Sequence, residues 1–294
     1  MLPGSAPRIT VAVPLYRSGR FLPILIETLH NFDYPNLEFL LSDRHQDDDA
    51  IAQLRAIFGK DDRFRFLAAE DRIDWVDHYN LLLQQATGDY FLWVSHDDSY
   101  SPNYLSALAQ ALNENPDAIV AHGQVRRISL EGQPLGSPPI PRHPDSGAPN
   151  AFRAYRVTLN GQHVFHGLFR RQPLADRQLW IRHTPENVAA DALWVFTVAL
   201  LGRVRFVASC TFIKRYHPTS AHKAWHNVMQ PSFIWDFARV TRSYLDTYVQ
   251  SRLERIGGRI VILLACTLWY LRLTARAYRS KSISEAQPGR AISR

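Results

Sequence analysis

Apolar residues along the 294-residue chain fall into two spacings. Short runs rich in β-branched and aromatic residues, "ITVAV" (9–13), "LEFLL" (37–41), "RFRFLA" (63–68) and "YFLWV" (90–94), have the length and composition of buried strands. Between them the apolar positions recur at helical intervals: "FLPILIETLH" from Phe21, "DDDAIAQLRAIF" from Asp47 with an acidic first turn, and "DWVDHYNLLLQQA" from Asp74, an Asp placed to cap the helix. The order β-α-β-α-β-α-β predicts an α/β fold: a mostly parallel sheet, helices on both faces, right-handed crossovers, and a ligand crevice beyond the carboxyl ends of the strands.

A helix beginning near Pro102 and a strand-like "AIVAHGQVRRISL" follow, and then "EGQPLGSPPIPRHPDSGAPN" (131–150), whose Pro, Gly and Ser predict a flexible loop or flap. Next come "VFHGLFRRQPL", an amphipathic helix in "NVAADALWVFTVALLG" and the strand-like "RVRFVASCTFIKRYH". Largely helical material is predicted from Pro231 to about Lys281, with a frayed "SISEAQPGRAISR" at the end. There is no internal repeat. The longest apolar run, "IVILLACTLWYL" (260–271), falls short of the roughly 20 residues a spanning helix needs. Arg252, Arg255, Arg259, Arg272, Arg276, Arg279 and Lys281 flank it, a pattern that suits equally an interfacial helix on an anionic membrane surface and a helix packed on the domain with solvated arginines.

A content of 46% hydrophobic and 21% charged residues is that of a globular protein. The net charge of +7 suits nucleic acid, an anionic membrane or a phosphate-bearing small molecule. Cys210 and Cys266 have no partner at metal-ligand or disulfide-framework spacing, and "MLPGSAPRIT" has no signal-peptide pattern, so a reducing cytoplasm is the expected location.

The parallel topology gathers chemistry at one edge. Asp43 ends the second apolar run and His96, Asp97 and Asp98 end the fourth, so carboxylates distant in sequence meet beyond the strand ends. Adjacent acids there suit a divalent cation completed by a nucleoside diphosphate. A turn or helix cap accounts for an isolated "DDS" as well.

The stretches "ITVAVPLYRSGRFLPILIETL", "LEFLLSDRHQDD" and "ATGDYFLWVSHDDSYSPNYLSALAQAL" carry Val-Pro-x-Tyr after the first strand, Asp after the second, and Gly-x-Tyr opening and Asp-Asp closing the fourth. In order and spacing they resemble the N-terminal half of a family 2 glycosyltransferase of the GT-A fold, over about residues 9 to 217. The resemblance implies an inverting, metal-dependent transfer of a hexosyl unit from a nucleotide-sugar donor, a UDP-sugar foremost, to a glycan or lipid-linked acceptor, with Mn²⁺ or Mg²⁺ as cofactor and cell-surface polysaccharide as the product class. By the same resemblance Pro14 and Tyr16 line the base pocket, Asp43 accepts from the base, Asp97 approaches the ribose and Asp98 ligates the metal. Arg17 stands where the family often has Asn, and His96 replaces the first acid of a D-x-D pattern. "NVAADALWVFTVALLG" resembles the helix bearing the catalytic base, which makes Asp191 the base and Glu186 the reserve; an early-helix acid favoured by the macrodipole is the blander account. In "IKRYHPTSAHK", His217 completes the metal shell or touches the diphosphate, and Arg215 or Lys223 neutralises phosphate. Asn80 and Asp77 fall near the nucleotide, and Arg170 and Arg171 on the acceptor side. His122, His163, His166 and His226 have no assigned role.

The corresponding division is a GT-A domain over 1–225, with a nucleotide-binding half (9–125) and an acceptor half (151–225), and a C-terminal helical region over 226–294 that associates with a membrane or packs on the domain. Three other classes were weighed. A basic membrane- or nucleic-acid-binding protein calls for cations interleaved with aromatics on one surface, whereas here acids collect at strand ends; no nucleic-acid partner is expected. A nucleotidyltransferase on a similar fold calls for a Gly-rich phosphate loop, and "PLYRSGR" has one glycine. An inactive relative is separated by assay with nucleotide sugars.

Overall fold

The computed structural model describes residues 6–44, 48–70, 72–136, 153–154, 156–157, 162–217 and 231–285. Eight strands form one sheet: β1 (Ile9–Leu15), β2 (Leu37–Asp43), β3 (Phe64–Ala68), β4 (Tyr90–Trp93), β5 (Ser99–Tyr100), β6 (Ala118–Ser129), β7 (Leu168–Arg170) and β8 (Arg203–Tyr216), in the order β3-β2-β1-β4-β7-β6-β8-β5. β1 runs parallel to β2 and β4, β2 to β3, and β6 to β8. β7 is an antiparallel insertion between β4 and β6, and β5 pairs antiparallel with β8 at the edge. The helices are α1 (Leu22–Asn31), α2 (Ala50–Phe58), α3 (Trp75–Gln85), α4 (Tyr104–Glu114), α5 (Arg171–Asp176), α6 (Ala190–Leu201), α7 (Pro231–Tyr248) and α8 (Arg252–Glu285).

Strand alternation builds two core layers. Ile9, Val11, Val13 and Leu15 of β1 pack with Leu22, Leu25 and Leu29 of α1, Leu54 of α2 and Leu108 of α4. Ala12, Leu40, Phe91 and Trp93 point the other way, into a layer with Val76 and Leu82 of α3 and Leu193 and Trp194 of α6. The four sequence-predicted strands therefore form, with β1 and β2 running on to Leu15 and Asp43. Asp74 caps α3 as expected, its carboxylate accepting from the Val76 N–H at 2.7 Å.

At the amino end of the strands, buried Glu38 gathers a polar cluster. It accepts from Thr10 Oγ1 at 2.6 Å, from Arg65 at 2.6 Å and from the Thr87 hydroxyl and N–H at 2.9 and 3.1 Å. Burial alone would raise its pKa; the hydrogen bonds from Thr10, Arg65 and Thr87 outweigh burial and hold it below the ordinary carboxylate value.

Between the pairings Gly123↔Val207 and Gln124↔Thr211 the β6–β8 register jumps, leaving Ala208, Ser209 and Cys210 as a bulge on β8. A Cβ at Gly123 would lie 2.7 Å from the Cys210 carbonyl oxygen and 2.8 Å from the Tyr104 ring, so the bend requires glycine. Beyond it, Phe212 and Ile213 pair with Tyr100 and Ser99, which brings the end of β8 alongside residues 97–100.

The helix predicted as amphipathic is buried on nearly every side: Leu193 through Ala199 of α6 are all inside. The reason is a second cover, because Ile234, Tyr244 and Leu245 of α7 and Ile262 and Cys266 of α8 join its core layer. Cys210 and Cys266 are buried free thiols. Most of the predicted 131–150 loop (137–150), Lys223, His226 and the last residues (286–294) lie outside the described residues, while Ser282–Glu285 continue α8 rather than fraying.

Candidate active site

β4 ends at Trp93, and the chain crosses the carboxyl edge of the sheet to reach β5 beside β8. This path sets Asp97 and Asp98 against the last residues of β8. The Asp98 side chain is fully buried; one oxygen accepts from the Arg215 N–H at 2.8 Å and the other from Lys214 Nζ at 2.8 Å. Burial pushes the Asp98 carboxyl up to about 6, against the pull of the Lys214 ammonium. Burial would lower Lys214, but Asp98 and Asp97 hold it above its ordinary range, so the pair is ionised at neutral pH.

Asp97 faces a different partner. Its Oδ2 lies 2.9 Å from His217 Nε2, and Arg20 donates to His217 Nδ1 at 3.3 Å, a tautomer that leaves Nε2–H to donate to Asp97. Burial raises the Asp97 pKa, but the hydrogen bond from His217 and the charge of Lys214 win and hold it well below the usual range. His96 is kept neutral by burial, its ring 5.7 Å from Phe21.

The sequence resemblance implies a divalent cation, and the two acids differ in fitness for one. Asp97 and His217 offer an oxygen and a nitrogen 2.9 Å apart, close to the ~3.0 Å between neighbouring ligands in an octahedral shell with bonds of about 2.1 Å. Ligation would move the ring proton to Nδ1, where Arg20 now donates. Asp98 has both oxygens engaged and no exposed surface, so it takes a cation only by displacing Lys214.

Arg215, expected to meet phosphate, spends its guanidinium on backbone: Nε donates to the Asp97 carbonyl at 3.1 Å and Nη1 to the Leu130 carbonyl at 3.0 Å. The cation aimed at the acids is its neighbour Lys214, which the sequence reading passed over. Its charge is felt at Asp97, Asp98, His96, His163, His166 and Asp191. His163 and His166 are neutral there, both held low chiefly by burial, and the His166 ring stacks on Phe212 at 4.4 Å.

The β1–β2 register sets Leu15 opposite Asp43 and Pro14 opposite Ser42, so the predicted base-pocket residues share one corner of the sheet edge. Asp43 is buried, while Tyr16 is 37% exposed with the Arg44 guanidinium 4.2 Å over its ring. Arg17 follows with φ 48°, in the left-handed region.

Asp191 lies in the first turn of α6, and Trp194, one turn on, packs edge-on against Trp93 of β4 at 5.0 Å. That contact ties the helix to the strand that leads to the acid pair. Oδ1 of Asp191 is buried without a hydrogen-bond partner among the described residues, and burial raises its pKa. Glu186, the reserve, is exposed in a 3-10 turn (Pro185–Asn187). The approach to α6 is strained, with Glu186, Asn187 and Ala189 at φ 53°, 53° and 56°. Asn187 Nδ2 secures it by donating to Asp74 at 2.7 Å.

The remaining polar residues singled out in the sequence brace the fold. Asn80 makes both bonds to the Ile181 backbone, each 2.8 Å. Arg170 donates to the Leu112 and Ala118 carbonyls, and Arg171 to that of Gly88. Asp77 pairs with His183 at 3.0 Å, and with Asp74 these form an exposed acid–imidazole cluster. Asp77, Asn80 and His183 help line a cavity of about 650 Å³ that includes none of Pro14, Tyr16, Asp43, Asp97, Asp98, Arg215 and His217.

A mixed, mostly parallel sheet between helical layers, with acids at its carboxyl edge, is the GT-A fold. Residues 10–176 match the model of glycosyl transferase family 2, more than half of the chain, and the chain belongs to that family. It is 29% identical over 112 residues to glycosyltransferase GlyG of Streptococcus pneumoniae, a match covering 38% of this chain and 37% of that one. It is 28% identical over 109 residues to the GalNAc(5)-diNAcBac-PP-undecaprenol beta-1,3-glucosyltransferase of Campylobacter jejuni, covering 37% and 35%. The matched region thus spans little more than a third of these relatives. Among solved structures, S. aureus TarS in complex with UDP-GlcNAc superposes with a TM-score of 0.69 at 16% identity, over 87% of this chain and 71% of that one. The mannosyltransferase PcManGT from Pyrobaculum calidifontis, in complex with GDP-Man and Mn²⁺, superposes at 0.56 and 16% identity, over 94% and 81%.

Proposed function

We propose that the chain transfers a hexosyl unit, with inversion, from a nucleoside-diphosphate sugar to a hydroxyl of a glycan or lipid-linked acceptor in cell-surface polysaccharide assembly, the donor being a UDP-sugar. One observation carries the reading: Asp191, with a buried carboxylate oxygen that makes no hydrogen bond among the described residues, is held by the Trp194–Trp93 contact beside the edge where Asp97 meets His217. The complexes of TarS with UDP-GlcNAc and of PcManGT with GDP-Man and Mn²⁺, and the undecaprenol-linked substrate in the name of the Campylobacter relative, support the substrate classes.

In this reading the base of the donor lies between Pro14 and Tyr16 with Asp43 accepting from its N–H, and residues 9–125 hold the nucleotide. Asp97 and His217 would hold Mn²⁺ or Mg²⁺, which when bound neutralises charge on the leaving diphosphate. Lys214 offsets the charge of Asp98 beside the same region. Asp191 takes the proton of the acceptor hydroxyl; the oxygen bonds to the anomeric carbon as the bond to the diphosphate oxygen breaks, and the nucleoside diphosphate leaves on the opposite face. A base whose pKa is raised by burial is better matched to that proton transfer than a solvated Asp. Residues 151–225 supply the acceptor side, and 226–294 form the C-terminal region.

The test is a transfer assay with UDP-, GDP-, dTDP- and CDP-sugars, with and without Mn²⁺, alongside thermal melting with the matching diphosphates. Stabilisation by at least one diphosphate together with turnover of its sugar is expected. Absence of both across the panel sinks the reading, and binding without turnover marks an inactive relative.

A further inference from the structure

Helix α8 has two apolar faces. Ile262 and Cys266 are 4% and 3% exposed and belong to the core layer that covers α6. Two residues away along a helix is about 200° around it, so Ile260, Leu264 and Leu268 point away from that core. They are 53%, 59% and 56% exposed, and Leu253, Ile256 and Leu263 widen the same face at 81%, 44% and 56%. A face this apolar left to solvent marks a contact site.

Charge selects the occupant. The stretch 260–271 has no charged residue, while Arg252, Arg255 and Arg259 precede it and Arg272, Arg276, Arg279 and Lys281 follow, against only Glu254 and Glu285 within α8. A second copy laid parallel on this face sets the basic runs at 272–281 against each other. An anionic bilayer instead takes the apolar face into its acyl boundary, with the basic run that follows, Arg272, Arg276, Arg279 and Lys281 in the sequence, at the level of its phosphates. Arg255 and Arg259 fall on the inner side, seven residues before Ile262 and Cys266, and Arg259 pairs with Asp246 of α7 at 2.6 Å. Twelve residues extend only about 18 Å along a helix, less than the roughly 30 Å hydrocarbon core, and among the described residues no helix is long and apolar enough to cross a membrane.

We infer that the outward face of α8 is a docking surface for an anionic lipid bilayer, on which the helix lies flat while its inner face stays packed on the enzyme. This stands independently of the sugar-transfer reading.

The experiment uses the full chain and two variants: Ile260→Glu/Leu264→Glu/Leu268→Glu, confined to the exposed face, and Arg279→Glu/Lys281→Glu, which leaves that face intact. Sedimentation is measured with vesicles of phosphatidylglycerol and phosphatidylcholine, and of phosphatidylcholine alone, at low and high salt; sedimentation velocity reports self-association. Wild type should partition onto the anionic vesicles roughly tenfold or more better than the triple variant, with a part lost in high salt and in the charge-reversed variant. Thermal melting and diphosphate stabilisation should be unchanged, which separates this inference from the catalytic one. Failure of wild type to bind anionic vesicles, equal binding by correctly folded variants, or a wild-type dimer abolished by the triple change would overturn it.

Discussion

Lys214 Nζ stands 2.8 Å from a carboxylate oxygen of Asp98, and that carboxylate has no exposed surface. The acid that the sequence marks out as the metal ligand thus already carries a cation of the protein's own. Removing one member of a buried pair leaves the other uncompensated, which typically costs about 3–5 kcal/mol. Lys214→Met and Asp98→Asn are each expected to lower stability by an amount of that order, read by urea denaturation. A change under about 1 kcal/mol in both would show the pair to be no structural unit.

Asp97 and His217 are expected to carry the cation dependence. Asp97→Asn and His217→Ala, which each break the buried Asp97–His217 contact, should melt below wild type without ligand and should also lose the extra stabilisation that Mn²⁺ gives to diphosphate binding. Calorimetric titration of the diphosphate with and without Mn²⁺ checks this, and a metal increment that survives in both variants would move the ligands elsewhere.

Asp191→Asn should keep donor binding while transfer falls by roughly 10²–10⁴-fold, the usual worth of a general base. The isosteric amide preserves the first turn of α6. Turnover within a few-fold of wild type would pass the role to another group, with Glu186 next to be changed.

Glu38 gives a pH dependence with a definite sign. Its folded-state pKa is depressed, so its contribution to stability is present above the ordinary Glu value near 4.3 and is lost as pH falls through the lower folded value. Glu38→Gln should cost about 1–3 kcal/mol at neutral pH, because the Arg65 and Thr87 donors lose a charged acceptor. The cost should shrink below pH 4. Denaturation of both proteins at pH 7 and pH 3.5 tests it, and a pH-independent difference would count against the ionised cluster.

The first half of the fold was legible because short continuous apolar runs and helically spaced apolar positions state their structure locally; β1 to β4 and α1 to α4 formed near where the pattern put them. β5 and β7 were not, because two- and three-residue strands are made by pairing partners far along the chain rather than by their own composition. α6 misled for a related reason: a helix covered on its outer side by α7, on which α8 packs in turn, loses the polar stripe that periodicity looks for. At the site, the sequence brought Asp43, Asp97 and Asp98 to one edge through topology alone. It could not say which acid was sealed, since that depends on the β5–β8 pairing that lays Lys214 over Asp98. Arg215 drew notice as a cation before a histidine; its guanidinium turned out to be spent on the Asp97 and Leu130 carbonyls.

The bulge at Ala208–Cys210 makes the spacing of the reactive groups depend on a defect in the ladder rather than on a loop. Everything after it on β8, Lys214 and Arg215 with His217 just past the end, is delivered to Asp97 and Asp98 by one bend, and the void that admits the bend is the missing side chain of Gly123. Gly123 is therefore a gauge: it sets how far a distant strand overhangs the crevice without itself touching any reactive group. A single methyl there, in Gly123→Ala, must push Cys210 or Tyr104 aside by several tenths of an ångström and carry that displacement along the strand to His217. Its signature would be a weakened Mn²⁺ increment in diphosphate binding, produced by a residue that could not bind metal, nucleotide or sugar under any assignment.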